Sequence, residues 1–305
     1  MKKKQIFGVL IMLISAVLFM SCGNGDYAES GMLIINAENA VELADSGDWI
    51  LVDAQKTTSF EKEHVEGAVN IERRQITVKK QVANMLASAS NIADAAGKAG
   101  LTSESNVVIY DDNNNMDSGR LAWTLMIYGH KGQIKVVSGG LPALKAEGVE
   151  IAKGSASART AVYKAGNLDS SMIIDKEGVL ALLDNPPENS VIIDVRSDEE
   201  YNAGTIPGSV HIEYLKNDFS DITYKPVQQI RILYKDKGIM PEDNVVMFCK
   251  SSIRAAQTWV ALYNAGYRNL KIYDGAWLEW SADDSLPVFK PEIPGEIRIE
   301  VQDAS

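Results

Sequence analysis

Val245-Val246-Met247-Phe248-Cys249-Lys250-Ser251-Ser252-Ile253-Arg254 is an apolar run, a thiol, a short polar turn and the opening of a helical pattern that runs on through Ala255 to Ala265. A short, unbroken β-branched and aromatic run that ends in a polar turn reads as a strand buried on both faces. A thiol at its carboxyl end, where the turn feeds a helix, sits under converging backbone N–H groups and the positive end of the helix dipole. Helix N-termini and neighbouring cations lower a cysteine pKa from about 8.5 to roughly 3.5–7.5, and Lys250 and Arg254 bring such charges here. Cys249 therefore reads as a thiolate nucleophile. The bland alternative is an inert core cysteine, which has no use for a lysine, two serines and an arginine directly after it.

The only other cysteine is Cys22. A disulfide framework, a resolving-thiol motif and a structural zinc site each need more thiolates or histidines than that, so no cofactor is called for. Cys22 itself follows Lys2-Lys3-Lys4, an apolar run from Ile6 to Met20, and Ser21. A basic start, a short apolar stretch and a small residue before cysteine form a secretory signal, and the run is shorter than the roughly 20 residues a spanning helix needs. The segment resembles a bacterial lipoprotein signal, which implies lipidation of Cys22 and a cell-envelope location, facing periplasm or exterior. Residues 1–21 are then the signal and 22–31 a tether. Removing residues 1–21 takes away three of the 30 Lys and Arg and none of the 41 Asp and Glu, so the net charge moves from −11 to −14. Such acidity argues against a nucleic-acid partner.

The rest of the chain is one unit written twice. Ile50-Leu51-Val52-Asp53, Phe60 and His64-Val65-Glu66-Gly67-Ala68-Val69-Asn70-Ile71 reappear as Val191-Ile192-Ile193-Asp194, Tyr201 and Thr205-Ile206-Pro207-Gly208-Ser209-Val210-His211-Ile212, each 141 residues on (53 to 194, 67 to 208). Val107-Val108-Ile109-Tyr110-Asp111 then matches Val245 to Cys249, Trp123 matches Trp259, and Ile134 to Gly139 matches Leu270 to Gly275. A period this long means duplication of a domain and not a solenoid repeat. Short β-branched runs alternating with helical patterns give an α/β fold, a mainly parallel sheet covered by helices in each copy. A ligand in such a fold lies at the carboxyl ends of the strands, where Cys249 stands. The copies are placed at 32–148 and 171–286, joined by a Gly- and Ser-containing linker at 149–170 and followed by a proline-containing tail, 287–305, read as extended surface chain.

An Asp-ending strand, a Gly-Ser/Ala-Val-x-Ile element, a strand-Cys-loop-helix and a closing strand with Asp-Gly resemble the rhodanese family, and the tandem arrangement is similar to thiosulfate and 3-mercaptopyruvate sulfurtransferases. The resemblance implies two tandem rhodanese-like domains, a persulfide-forming Cys249 in the second and a catalytically silent first copy with Asp111 in the cysteine's place. It implies a small anionic sulfur donor, a thiol or cyanide acceptor and no cofactor. The six-residue loop ending in Arg254 has the family's length. The phosphatase loop is one residue longer, and Ala255 stands where its arginine belongs. Ser252 occupies a position where many of these loops carry glycine, and the loop matches neither Cys-Arg-Lys-Gly-Val-Thr nor Cys-Gly-Ser-Gly-Val-Thr, so thiosulfate and 3-mercaptopyruvate both stay open as donors.

Loop N–H groups from Lys250 through Ser251, Ser252 and Ile253 to Arg254 are expected to bind the anionic sulfur. Lys250 and Arg254 are expected to take the donor's oxygens, with Arg254 as a structural ion-pair partner the alternative. Arg196, just past a strand end, either lines the pocket or pairs on the surface with Asp198 or Glu199. Asp194 is expected to brace turns, and His64 and His211 are structural, there being no third ligand beside them. Asp111 to Asp117 is too unlike an EF-hand loop to hold calcium and reads as an interface or surface loop. Arg73-Arg74 either reach the donor across the interface or stand solvated. Two other functions fit the same scaffold: a Cys-dependent phosphatase or arsenate reductase, and a tethered sulfur-binding module without turnover.

Overall fold

The computed structural model describes residues 33–156 and 159–291. The signal segment, the tether with Cys22 and most of the tail lie outside the described residues. Ten strands make two five-stranded sheets. The first holds β1 (Ile34–Ile35), β2 (Trp49–Asp53), β3 (Val69–Asn70), β4 (Asn106–Tyr110) and β5 (Ile134–Val137) in the order β1-β5-β4-β2-β3. The second holds β6 (Ile173–Ile174), β7 (Ser190–Asp194), β8 (Val210–His211), β9 (Asn244–Phe248) and β10 (Leu270–Tyr273) in the order β6-β10-β9-β7-β8. All pairings within both sheets are parallel, and the register repeats too: Asp53 lies opposite Tyr110 as Asp194 lies opposite Phe248. The fold is the expected tandem α/β duplication.

Local chemistry starts the helices in matching places. Asn36 caps Ala37–Asp45 by accepting the Asn39 N–H at 2.8 Å, and Asp175 caps Lys176–Asp184 by accepting the Gly178 N–H at 2.8 Å. Each such cap is worth about 1 kcal/mol.

The helix after each central strand turns toward the other domain. Met116–Ile127 follows β4, Ile253–Asn264 follows β9, and the two pack against each other. Both are buried along nearly their whole length, so Leu121, Ala122, Trp123 and Leu125 share one continuous core with Ala255, Ala256, Trp259 and Val260. Burying one Leu or Val of this kind contributes about 1.5–3 kcal/mol. Gly119 sets the closeness of the crossing: a Cβ there would stand 3.0 Å from Gln257 Cα and 3.2 Å from the Ala256 carbonyl oxygen.

The segment read as a linker connects the sheets but is laid down on the first domain. Ile151–Ala152 pairs antiparallel with His64–Val65, the Ala161 and Gly166 N–H groups donate to the carbonyls of Gly97 and Tyr128, and buried Tyr163 stacks on His130. The described start of the tail is extended, with Phe289 forming an antiparallel bridge to Thr205.

Candidate active site

Cys249 lies one residue beyond β9, the central strand of the second sheet, at the carboxyl end of that sheet. Its thiol is free and 1% exposed. Backbone bonds pin the loop to the segment that follows β10: the Trp277 N–H donates to the Cys249 carbonyl at 3.0 Å and the Leu278 N–H to the Lys250 carbonyl at 3.1 Å. Ser252 then takes a left-handed conformation, φ 61°, immediately before the Ile253–Asn264 helix. Such a φ is natural to glycine and uncommon for other residues.

Arg254 stands between Glu200 and Cys249. Its guanidinium meets Glu200 in a fork, Nη1 to Oε2 at 2.5 Å and Nη2 to Oε1 at 2.9 Å, and its charge also interacts with Cys249. Burial pulls the guanidinium pKa down, but Glu200 and Cys249 outweigh burial and leave it raised. Burial likewise pushes the Glu200 carboxyl up, and the Arg254 bonds and charge overcome this and hold it at about 2. The alternative expected of Arg254, a structural ion-pair partner, is the one seen here, with Glu200 as the partner. Lys250 is exposed and enters no ion pair among the described residues.

Arg196 is a correction. It is not a surface cation and does not pair with Asp198 or Glu199. At 2% exposure it is paired with Asp194, Nη2 to Oδ2 at 2.6 Å, bonded to the Gly204 carbonyl and laid over the Trp277 ring at 4.3 Å. The first domain shows why: at the matching position Gln55 makes the same brace, donating its N–H and Nε2 to Asp53. With an amide in place of the cation, burial pushes the Asp53 carboxyl up to about 7. Asp194 braces the turn, as expected, and adds the Thr205 hydroxyl at 2.8 Å.

Arg73 and Arg74 are drawn to carboxylates of their own domain, Arg73 to Asp117 at 2.6 Å and Arg74 to Glu72. They line a cavity of about 290 Å3 with Lys56, Thr77 and Asn84. His64 stacks on Phe60 and bonds its carbonyl, while His211 stacks on Tyr201 and bonds the Arg196 carbonyl. Both sit in packing roles.

The first domain's counterpart of the cysteine loop holds an anion of its own. Asp111, fully buried, accepts the N–H groups of Asn113, Asn115 and Ser118 at 2.9, 3.1 and 2.7 Å. Burial, with Asp117 nearby, pushes its carboxyl up to about 6. A turn of converging N–H groups that cradles a carboxylate in one copy starts at a thiol in the other. The rhodanese-like domain family matches residues 36–147 and 176–283, once per copy. The chain belongs to that family. It is 27% identical over 251 residues to the sulfur carrier protein TtuD of Thermus thermophilus, a match covering 76% of this chain and 87% of that protein. It is 23% identical over 258 residues to a candidate thiosulfate sulfurtransferase of Saccharopolyspora erythraea, covering 79% and 90%. Its fold is that of the 3-mercaptopyruvate sulfurtransferase SseA of Escherichia coli, with TM-score 0.72 at 20% identity, covering 81% of this chain and 99% of that one.

Three residues around this rhodanese site, Glu200, Arg120 and Asn84, escaped the sequence reading, and Asp274 entered it only as part of the closing Asp-Gly. Glu200 had a visible signal, the Ser197-x-x-Glu200 capping box, but the box says nothing of Arg254. Arg120, Asn84 and Asp274 come from distant parts of the chain, and only an arginine directly before the apolar run Leu121-Ala122-Trp123 hinted at the first of them.

Proposed function

We propose that the protein is a sulfurtransferase that carries sulfane sulfur from a small anionic donor to a thiophilic acceptor through a Cys249 persulfide. The reading is carried by one observation: an unpaired thiol at the carboxyl end of the central strand, with a carboxylate-anchored arginine against it. The Cys249 thiolate attacks the outer sulfur of thiosulfate; a new S–S bond forms, the old one breaks, and sulfite departs with the bonding pair. Cyanide then takes the outer sulfur as thiocyanate and returns the thiolate, a covalent ping-pong cycle. With 3-mercaptopyruvate the same attack forms the S–S bond and breaks the C–S bond, the methylene carbon leaves with the bonding pair as the enolate of pyruvate, and the proton given up by the donor's thiol completes pyruvate. Arg254 stabilises the anionic sulfur in both half-reactions, and loop amides do the same. The relatives' names support the reaction class and leave the donor open. The location is part of the proposal: lipidation at Cys22 would tether the enzyme to a bacterial envelope membrane.

Three incubations test the reading: thiosulfate with cyanide, 3-mercaptopyruvate with a thiol, and an aryl phosphate, followed by thiocyanate, sulfide and phosphate. The expected result is sulfur transfer with at least one donor, one added sulfur on the intact native protein and none on Cys249→Ser, whose hydroxyl has nearly the same volume but forms no persulfide. Phosphate release alone would move the protein to the phosphatase class. A stable persulfide without turnover would make it a sulfur-binding module.

A further inference from the structure

The cysteine loop is held from the other domain. Arg120, in the middle of the Met116–Ile127 helix, is 0% exposed. Its Nη1 donates to Ser252 Oγ at 3.0 Å, and its Nη2 to Asp274 Oδ1 at 2.9 Å and to the Asn84 carbonyl at 3.1 Å. The ring of Trp123 lies 4.6 Å below the guanidinium. Asp274 gathers the same parts from its own side: it accepts the Leu86 N–H at 2.6 Å and the Ser252 hydroxyl at 3.0 Å. Asn84 adds a bond from its Nδ2 to Ser251 Oγ at 3.1 Å. Two successive residues of the cysteine loop are thus gripped by side chains of the first domain.

The grip falls on the one loop residue that needs it. Ser252 carries a side chain in the left-handed region, where an L-residue is disfavoured and persists when its surroundings over-determine it. Its hydroxyl does not cap the helix it precedes. Instead its oxygen accepts the Arg120 Nη1 bond, and its single proton has two acceptors in reach, the Ser251 carbonyl at 2.8 Å and Asp274 Oδ1 at 3.0 Å.

We propose that Arg120 is a positioning residue for the sulfur-transfer step: with Asp274 it clamps Ser252 in the left-handed turn and so fixes the loop around Cys249, a task that glycine at 252 would perform by itself. The first domain, without a nucleophile of its own, then has a catalytic purpose. The proposal rests on the sulfurtransferase reading for its kinetic arm alone.

Rescue by glycine is the test. Arg120→Met keeps the length and the contact with Trp123 and removes the bonds. Persulfidation at saturating donor should fall about 10- to 100-fold, the scale expected when a reacting group is misplaced by about an ångström. Its half-saturating donor concentration should stay near the native value. Hydrogen exchange of the peptide over residues 249–254 should quicken while the sheets stay protected. Adding Ser252→Gly to Arg120→Met should restore both rate and protection, because glycine takes the turn without strain. Should Arg120→Met fold poorly because Asp274 is left buried and unpaired, Arg120→Met/Asp274→Asn removes both charges and the rescue is read in that background. A clamp variant with native rate and native exchange would overturn the proposal, and so would a folded variant that Ser252→Gly fails to restore. If the native protein transfers no sulfur at all, the sulfurtransferase reading fails, and the exchange arm still decides the clamp.

Discussion

At the residue scale, the Glu200 carboxylate orients the Arg254 guanidinium, and in the proposed cycle that cation serves the Cys249 sulfur. The Glu200 carboxyl is held below its ordinary value, so its contribution is complete above the unfolded value, near 4.3, and is lost as pH falls toward about 2. Between pH 5 and 9 the pair is constant. Glu200→Gln should therefore lower the second-order rate of persulfidation about tenfold, by loosening the Arg254 fork, and leave the shape of the pH–rate profile unchanged over that range. A new transition near pH 4–5 in one protein and not the other would contradict this. Both side chains are partly exposed, so the stability change should stay within about 1 kcal/mol, a shift of roughly 2–4 °C in Tm for a protein of this size.

At the element scale, the two buried helices do more than fill the interface, because acids are packed beside them. Asp218 accepts both Gln257 Nε2 contacts at 3.0 and 2.9 Å and lies near Asn115, Asp111 and Lys225. Burial pushes its carboxyl up to about 8, with Asp111 adding to the rise and the Asn115 and Gln257 bonds opposing it. A carboxyl raised in the folded state favours folding fully below its unfolded value, near 3.9, and that contribution disappears as pH rises through the folded value. Asp111, raised to about 6 for the same first reason, acts in the same direction. Thermal stability should thus decline from about pH 4.5 to pH 8, and Asp218→Asn, which keeps an acceptor for Gln257, should flatten the decline and raise Tm at pH 8. A native protein whose Tm climbs steadily over that interval would refute this account.

At the scale of the whole molecule, the sheets cannot be treated as independent, since one apolar core runs through both and the cysteine loop is bonded to the opposite domain. A tether at the amino end would carry this two-domain body as a unit. The mature chain should begin at an acylated Cys22 and partition into detergent, several acyl chains anchoring far more firmly than one, while Cys22→Ala should be left uncleaved or released. An unmodified amino terminus beyond residue 22 in the native host would refute the anchor. What the sequence alone determined is what local pattern encodes. Apolar runs such as Val191 to Ile193 and Val245 to Phe248 fix buried strands, their recurrence fixes the duplication and its parallel sheets, and the strand-thiol-turn-helix order puts Cys249 at a strand's carboxyl end. Only the tertiary structure decided the partners of the charged side chains. Arg196 sinks onto Trp277 and Asp194, Arg254 closes on a carboxylate 54 residues earlier, and Arg120 reaches Ser252 across 132 residues. Periodicity and caps are set by neighbours three or four positions away, whereas a buried cation goes to whichever acceptor the meeting of two domains brings within about 3 Å, and no short stretch of sequence contains that distance.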